Sequence, residues 1–449
     1  MYKRILSLLA ILSLAATLAI AVSFPKLEIG STRKPSDVTV ATKQPTLICP
    51  GPVFLNGGDS GLKLGNFTQS GTVAISGRDG ENSIASTSTT FKTILGSSAA
   101  SKDFNAIQIQ NSKQKLAAGL AVANCMPGSS EAWFVAGDNS VGREALLVLV
   151  NPTLVDATVS LQLIGTDGSI QGTGLSGISA PAGKVTTLPL AAFAPKTATF
   201  AVKVSSRGAA LGMWLQQKTI RGLTPGGLDI VGPSANAGKM IDIPGLFIRN
   251  SARLAKLSNS DDNYLDLKPL LRIANTGKQE TTFTAQVQGA DGSSFGTVIQ
   301  GTVAAGSVRD FELDELTDGD YIVHIEANQT IMGAVRFSRG ASGEPDLAWA
   351  NAVSSAKLDA GFTAAVGAIS KLSLANSTEQ SGTLTLNGRK IQIPENSNLV
   401  IPLTAGVSYQ LSSNAAVSIS QVVDIAGAVA VVPVLDYRSE VGRVKVLVR

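Results

Sequence analysis

The sequence predicts an all-β protein, built of tandem immunoglobulin-like β-sandwich repeats behind an N-terminal signal or anchor helix. Three observations carry that prediction. Apolar residues alternate with a period of two over many short runs. Turn dipeptides interrupt those runs. One strand-and-turn pattern then recurs along the chain at a spacing that suits tandem sandwiches rather than a solenoid. The composition agrees. Among 449 residues there are 45 glycines, only 5% are aromatic and 16% charged, while 44% are hydrophobic, which gives the chain apolar surface to bury.

The first element is Met1-Tyr2-Lys3-Arg4 followed by the eighteen uncharged residues Ile5–Val22. A basic start and an apolar run make an export signal. Ala19-Ile20-Ala21 suits cleavage, yet the run is long enough to span a bilayer, so both a cleaved signal and an uncleaved anchor stay open. Lys3 and Arg4 would remain inside and place everything after Val22 outside. The membrane is thus an expected partner, through residues 1–22. Residues 23–45, with Pro25, Pro35 and Pro45, read as a tether.

Cys49 and Cys125 come next. Each sits in a Pro/Gly turn, and the two bracket one candidate domain. In an oxidising compartment they are expected to form a disulfide that clamps the entry of that domain to its exit. Such a loop closure stabilises by about 4 kcal/mol on the chain-entropy account.

The repeat follows. Leu147-Val148-Leu149-Val150-Asn151 is echoed by Leu271 to Asn275 and by Leu372 to Asn376. Residues two and four before each Asn are aliphatic and fall on one strand face; the Asn ends the strand. A second alternating run follows each and closes on Asp167-Gly168, Asp291-Gly292 or Asn387-Gly388, with Asp79-Gly80 as an upstream copy. These dipeptides tolerate the positive φ of a type I′ hairpin turn. A glycine then recurs in a later strand, at Gly119, Gly212 and Gly333, where a bulge or close approach would require it. The expected units are 46–129, 130–236, 237–353 and 354–449. The connection from Gly222 to Asp262 reads as the loosest, and Leu254 to Ser258 as a helical turn or two at most.

Cys49-Pro50-Gly51-Pro52, Ala132-Trp133-Phe134-Val135-Ala136-Gly137 and the Leu147-to-Pro152 strand end resemble a family of actinobacterial envelope proteins of unknown function. The resemblance covers most of residues 46–440. It implies a secreted or single-pass-anchored, β-rich protein and carries over no active site.

Chemistry is sparse. The net charge of +4 is spread out, so no nucleic-acid footprint exists. With one histidine, His324, a Ser-His-Asp centre would need that imidazole beside Gly58-Asp59-Ser60-Gly61, whose pattern otherwise reads as a tight turn. Tyr321, Val323 and Ile325 alternate as a core face, which leaves His324 with Glu326 on the other. Ser354-Ser355-Ala356-Lys357 matches a serine-lysine motif but begins no helix. Asp261-Asp262-Asn263 with Asp266, and Asp318-Gly319-Asp320, lack calcium-loop spacing and read as turns. Trp214 reads as core. Trp133 and Trp349 fall beside unit boundaries, where they suit either a domain interface or a sugar-stacking platform. No catalytic, cofactor-binding or metal residues are assigned. The expectation is a non-enzymatic cell-envelope scaffold, a rigid arm with a protein or polysaccharide partner. The alternatives are a glycan-binding accessory protein in polysaccharide assembly or export and, more remotely, a histidine-independent hydrolase.

Overall fold

A computed structural model describes residues 36–39, 45–57, 63–97, 103–290, 295–314, 316–340, 343–436 and 443–446. The expected signal or anchor helix, Gly58-Asp59-Ser60-Gly61 and Asp291-Gly292 lie outside the described residues. No described helix is long and apolar enough to cross a membrane. The described residues divide into two units, 36–39 with 443–446 in one and those from 45 to 436 in the other. In the first, Ser36–Thr39 pairs antiparallel with Arg443–Val446, so part of the expected tether is a strand.

The larger unit is almost entirely antiparallel β-structure. From residue 131 onward one strand order occurs three times. With the short strand Ile178–Ala180, which pairs with Ala157–Gly165, set aside, the stretch from Glu131 to Val231 puts its first, sixth, third and fourth strands in one sheet and its fifth, second, seventh and eighth in the other. The same two orders recur from Gly238 to Asn351 and from Asp359 to Pro433. In the middle copy the sixth and seventh strands are one continuous strand, Gly319–Arg339, which passes from the first sheet into the second.

The Asn-terminated strands occupy the same place in all three copies. Each is the second strand, paired on one side to the fifth and on the other to the seventh. Leu147 and Leu149, Leu271 and Ile273, and Leu372 and Leu374 enter the apolar clusters of their own copies. The Asn side chain then forms a fixed corner. Asn151 Nδ2 donates to the carbonyls of Val155 and Ala180, and its Oδ1 accepts from Thr153 N–H. Asn275 does the same with Gln279, Val303 and Gly277. Asn376 repeats it with Gln380, Pro394 and Thr378. The amide satisfies backbone groups that the strand end would otherwise bury without partners.

The described turn dipeptides differ in geometry. Among them only Asn387-Gly388, between the third and fourth strands of the last copy, occupies both loop positions with positive φ, at 47° and 81°. Gly168, at φ 105°, lies just beyond a Thr166-Asp167 loop. Gly80, at φ 61°, opens a Gly80-Glu81 loop. The strand glycines are not equivalent either. Gly212 pairs with Val150, one before its Asn, whereas Gly333 pairs with Ile273, two before. Side chains alternate along a strand, so these two glycines face opposite sides.

The first copy is built differently. Asn82–Ser88, Val73–Asp79, Asn105–Gln114 and Ala117–Asn124 make one four-stranded sheet, accompanied by two two-stranded ribbons. Gly119 therefore sits in a hairpin partner of Asn105–Gln114 rather than in a seventh strand. Cys49 and Cys125 are disulfide-bonded and nearly fully buried.

The segment expected to be loose is ordered. Gly222 to Asp262 holds strands Thr224–Val231 and Gly238–Ile248 and helix Ser251–Ser260. Its glycines include Gly226 and Gly227, where an added Cβ would stand 2.1 Å from Arg221 Nη1 and 2.9 Å from Leu347. Composition suggested a linker because small residues are needed where strands of neighbouring copies meet.

The four copies also do not line up as an arm. Ile48, Val53 and Leu55 of the first pack with Leu146, Val148 and Trp214 of the second. Met332, Ala334 and Trp349 of the third join the core of the second. Val422, Val429 and Val431 of the fourth join that of the third. Ile107, Ile109, Leu120 and Val122 of the first then pack with Val423, Ala430 and Val432 of the fourth. The array closes into a ring. The Leu147–Asn151 strand is apolar on both faces because one face serves its own core and the other its neighbour.

Candidate functional site

Polar and charged side chains concentrate where the copies meet. At the centre of the ring the last strands of all four come together, and one carboxylate joins them. Asp346 opens the last strand of the third copy; its Oδ1 accepts from Leu228 N–H at 2.9 Å. Its Oδ2 accepts from Leu120 N–H at 2.9 Å and from Val429 N–H at 3.0 Å. The residues preceding those three donors are Gly119, Gly227 and Ala428, small enough to leave room for the carboxylate. Burial drives the Asp346 carboxyl up to about 7 against the pull of the N–H donors. Asp229, in the last strand of the second copy, accepts from Trp349 N–H at 2.7 Å. Burial also pushes its carboxyl well above the usual range, and the nearby Asp346 charge adds to the rise.

The junction of the second and third copies is ionic. Arg272, fully buried, forks onto Asp310 at 2.7 and 2.8 Å and donates to the Gly137, Phe200 and Ala198 carbonyls. Arg221 forks onto Asp266, which Arg143 also meets at 2.8 Å. Despite burial, the arginines hold the Asp266 and Asp310 carboxyls below the ordinary carboxylate value. A planar guanidinium satisfied on all sides is the form in which a buried charge is tolerated.

The third and fourth copies enclose the most reactive-looking cluster. His324, in the long strand, lies between Asp242 and Gln286 of the flanking strands. Its Nδ1 is 2.8 Å from Asp242 Oδ1 and 2.9 Å from Ser377 Oγ, and Ser377 also donates to that Oδ1 at 2.7 Å. Asp242 Oδ2 accepts from Ser418 Oγ at 2.9 Å, and His324 Nε2 faces Asn398 Oδ1 at 3.1 Å. An acyl-transfer relay places its serine on one ring nitrogen and its carboxylate on the other. Here Ser377 and Asp242 share Nδ1 and the serine hydroxyl donates to that carboxylate, so the cluster joins two copies and lacks the serine–imidazole–carboxylate order of a relay. An open cleft of about 380 Å³ adjoins it, with Thr284, Gln286, Gln288, Glu326, Thr378 and Asn396 on its walls. That lining offers amides, hydroxyls and carboxylates beside Met240, Ile241 and Ile325, and no Phe, Tyr or Trp.

The residues singled out in the sequence fall as follows. Trp349 is 1% exposed, with Arg272 over its ring at 4.8 Å, and presents no free face to a sugar. Trp133 is half-buried in the first strand of the second copy, with Lys203 Nζ 6.0 Å from its ring. Trp214 is core between the first and second copies. Asp261 caps the turn at Asn263, Asp266 belongs to the arginine junction, and Asp318 accepts from Asn250 and Ser251 N–H at the helix start. Asp320 pairs with Arg249 and Lys371. Ser355 lines the His324 cleft and no helix starts beside it. Among the described residues no group of three or more His, Cys, Asp or Glu is placed to hold a metal ion. Sequence reading missed Asp242, Asp229 and Asp346. The signal for the last was present: Gly, Gly, Asp and Ala precede the aliphatic residue that starts each inner strand pairing.

The model of the family of unknown function DUF5719 matches residues 80–432, which take in strands of all four copies. The chain belongs to the DUF5719 family. No curated protein matches it. The crystal structure of Thermotoga maritima 1070 aligns with 26% of this chain and 95% of its own at 16% identity, with a TM-score of 0.21, a likeness too slight to define the fold. The DUF5719 match takes in the Asp346 centre, the Arg272–Asp310 and Arg221–Asp266 junction and the Asp242–His324 cluster, and begins after Ile48, Val53 and Leu55 of the first copy.

Proposed function

We propose that this DUF5719 protein is a non-enzymatic, extracytoplasmic scaffold of an actinobacterial cell envelope, made of immunoglobulin-like sandwich repeats that present their outer surfaces to envelope partners. The observation that carries the reading is the placement of polar chemistry. The Asp346, Arg272–Asp310 and Asp242–His324 groups join one copy to the next, so they hold a shape rather than await a substrate. The bonded Cys49 and Cys125 support an oxidising compartment, and the basic, apolar start of the chain supports export or anchoring. Protease added to wall-stripped intact cells should digest the chain beyond Val22; full protection would refute the location.

A second reading has its own observation. The cleft beside His324 is lined by side-chain amides and hydroxyls, the groups that read sugar hydroxyls. Under this reading envelope polysaccharide binds there, and the tryptophans take no part. Affinity electrophoresis in gels containing envelope polysaccharide should retard the protein, and Gln286→Ala with Asn396→Ala should abolish the retardation. Unretarded migration would leave the scaffold reading alone.

A further inference from the structure

The third copy carries an insertion that the other two copies of its topology lack. Between its first and second strands stand the helix Ser251–Ser260 and a short 3-10 turn, Asp262–Leu267. The inner face of the helix buries Leu254 and, one turn on, Ser258. A serine in that place breaks the apolar stripe by which a helix normally docks. Beneath the helix opens a cleft of about 360 Å³. Its walls are mainly apolar: Ile248, Leu254, Leu267, Pro269, Leu313 and Leu316.

Two hydroxyls stand out on those walls. Ser258 is 5% exposed and Ser338 is 1% exposed, and both line the cleft. Neither hydroxyl has a hydrogen-bond partner within the protein. Buried hydroxyls are normally paired, because losing water without gaining a partner costs free energy. An apolar wall with two unpaired hydroxyls suits an occupant that is mostly hydrocarbon and carries one oxygen. The mouth narrows the choice. Lys268 lies there, but Glu312 holds its ammonium at 3.1 Å, and Asp314 adds a further carboxylate. No unpaired cation is offered to an anionic head. The volume lies at the small end of the range of about 300–1,000 Å³ typical of ligand pockets, enough for one short chain.

We propose that this cleft binds a single short acyl chain with a neutral head, an acyl ester, whose oxygen accepts hydrogen bonds from Ser258 and Ser338. The site lies within one copy, shares no lining residue with the His324 cleft, and stands whether or not the scaffold reading does.

The test is calorimetric titration of the full-length protein with 1-decanoylglycerol below its micelle concentration. Saturable binding and a raised unfolding midpoint are expected. Ser258→Ala and Ser338→Ala should each weaken binding about three- to tenfold, the worth of one hydrogen bond. Ser258→Leu, which fills the cleft, should abolish binding without lowering the unfolding midpoint. Decanoate should bind more weakly than the ester. The proposal is overturned if the ester does not bind saturably, if both alanine variants bind it as the wild type does, or if decanoate binds more tightly. Should Ser258→Leu fail to fold, the two alanine variants decide the matter.

Discussion

Asp346 Oδ2 accepts the backbone N–H of Leu120 at 2.9 Å across 226 positions of sequence, and so joins the third copy to the first. The same carboxylate takes the N–H of Leu228 and of Val429, so one side chain touches all four copies. A buried carboxylate without a cation is costly, and only convergent backbone donors make it tolerable. Its position explains why the array closes: each inner strand has an N–H that needs an acceptor at the centre.

Stability should therefore fall as pH rises from about 4 to neutrality. The folded-state value of Asp346, about 7, stands above that of an unfolded aspartate. A raised acid stabilises the fold fully below its unfolded value and loses that contribution as pH rises through the folded one. Asp229 acts in the same direction. Asp266 and Asp310, which are lowered, lose their contribution as pH falls through their folded values. Thermal unfolding should thus show a midpoint that declines between about pH 4 and 7 and levels off above, and Asp346→Asn should flatten that decline. An unchanged slope in the variant would assign the effect elsewhere.

Glycine substitutions should separate the ring centre from the hairpins. A Cβ at Gly119, φ 151°, would lie 2.3 Å from Asp346 Oδ1 and 2.6 Å from Leu228 N. Gly119→Ala should destabilise by about 3 kcal/mol or more, from overpacking and strain together. Gly227→Val should cost as much, against the sequence reading of a loose linker. Gly168→Val, at φ 105° with open space around it, should cost only about 1–3 kcal/mol of backbone strain. Denaturant midpoints at constant m-value read the ranking.

The three asparagine corners should behave alike. Asn151→Ala and Asn376→Ala each remove four hydrogen bonds and Asn275→Ala three, and all strand buried backbone groups, so each should cost about 2–4 kcal/mol. Similar losses in all three chemical denaturation curves would bear out their equivalence; a near-neutral Asn275→Ala would break it.

Removing the disulfide should be felt beyond the first copy. Replacing Cys49 and Cys125 with Ser should destabilise by about 2–5 kcal/mol. Because Ile48, next to Cys49, packs against the second copy, hydrogen exchange should quicken in strand Gly212–Arg221 as well. Exchange confined to residues 46–126 would show that the copies are energetically separate.

Much of the fold was legible because it is local. The period of two and the turn dipeptides act within a few residues, and the three later copies place their Asn-ended strands alike. What could not be read was long-range. Gly222 to Asp262 looked like a linker because close strand packing demands the same small residues that flexibility does. Trp349 stayed open between an interface and a sugar platform, because sequence does not show that it joins Met332 and Ala334 of its own copy in a neighbour's core. His324 was rightly placed off its own core face, but its partners Asp242, Ser377 and Asn398 lie 53 to 82 positions away. Alternation cannot foretell such pairings. The shared Gly, Gly, Asp and Ala ahead of the inner strands was visible, yet it gains meaning only once the ring is closed.

Small-angle scattering on residues 43–439 tests the closed ring most directly. A compact body of that length has a radius of gyration of about 21 Å, whereas four units of about 100 residues laid end to end would give about 40 Å. The ring predicts the smaller value, with a rise in Asp346→Ala as the copies part. A radius near the larger value in the unaltered protein would contradict it.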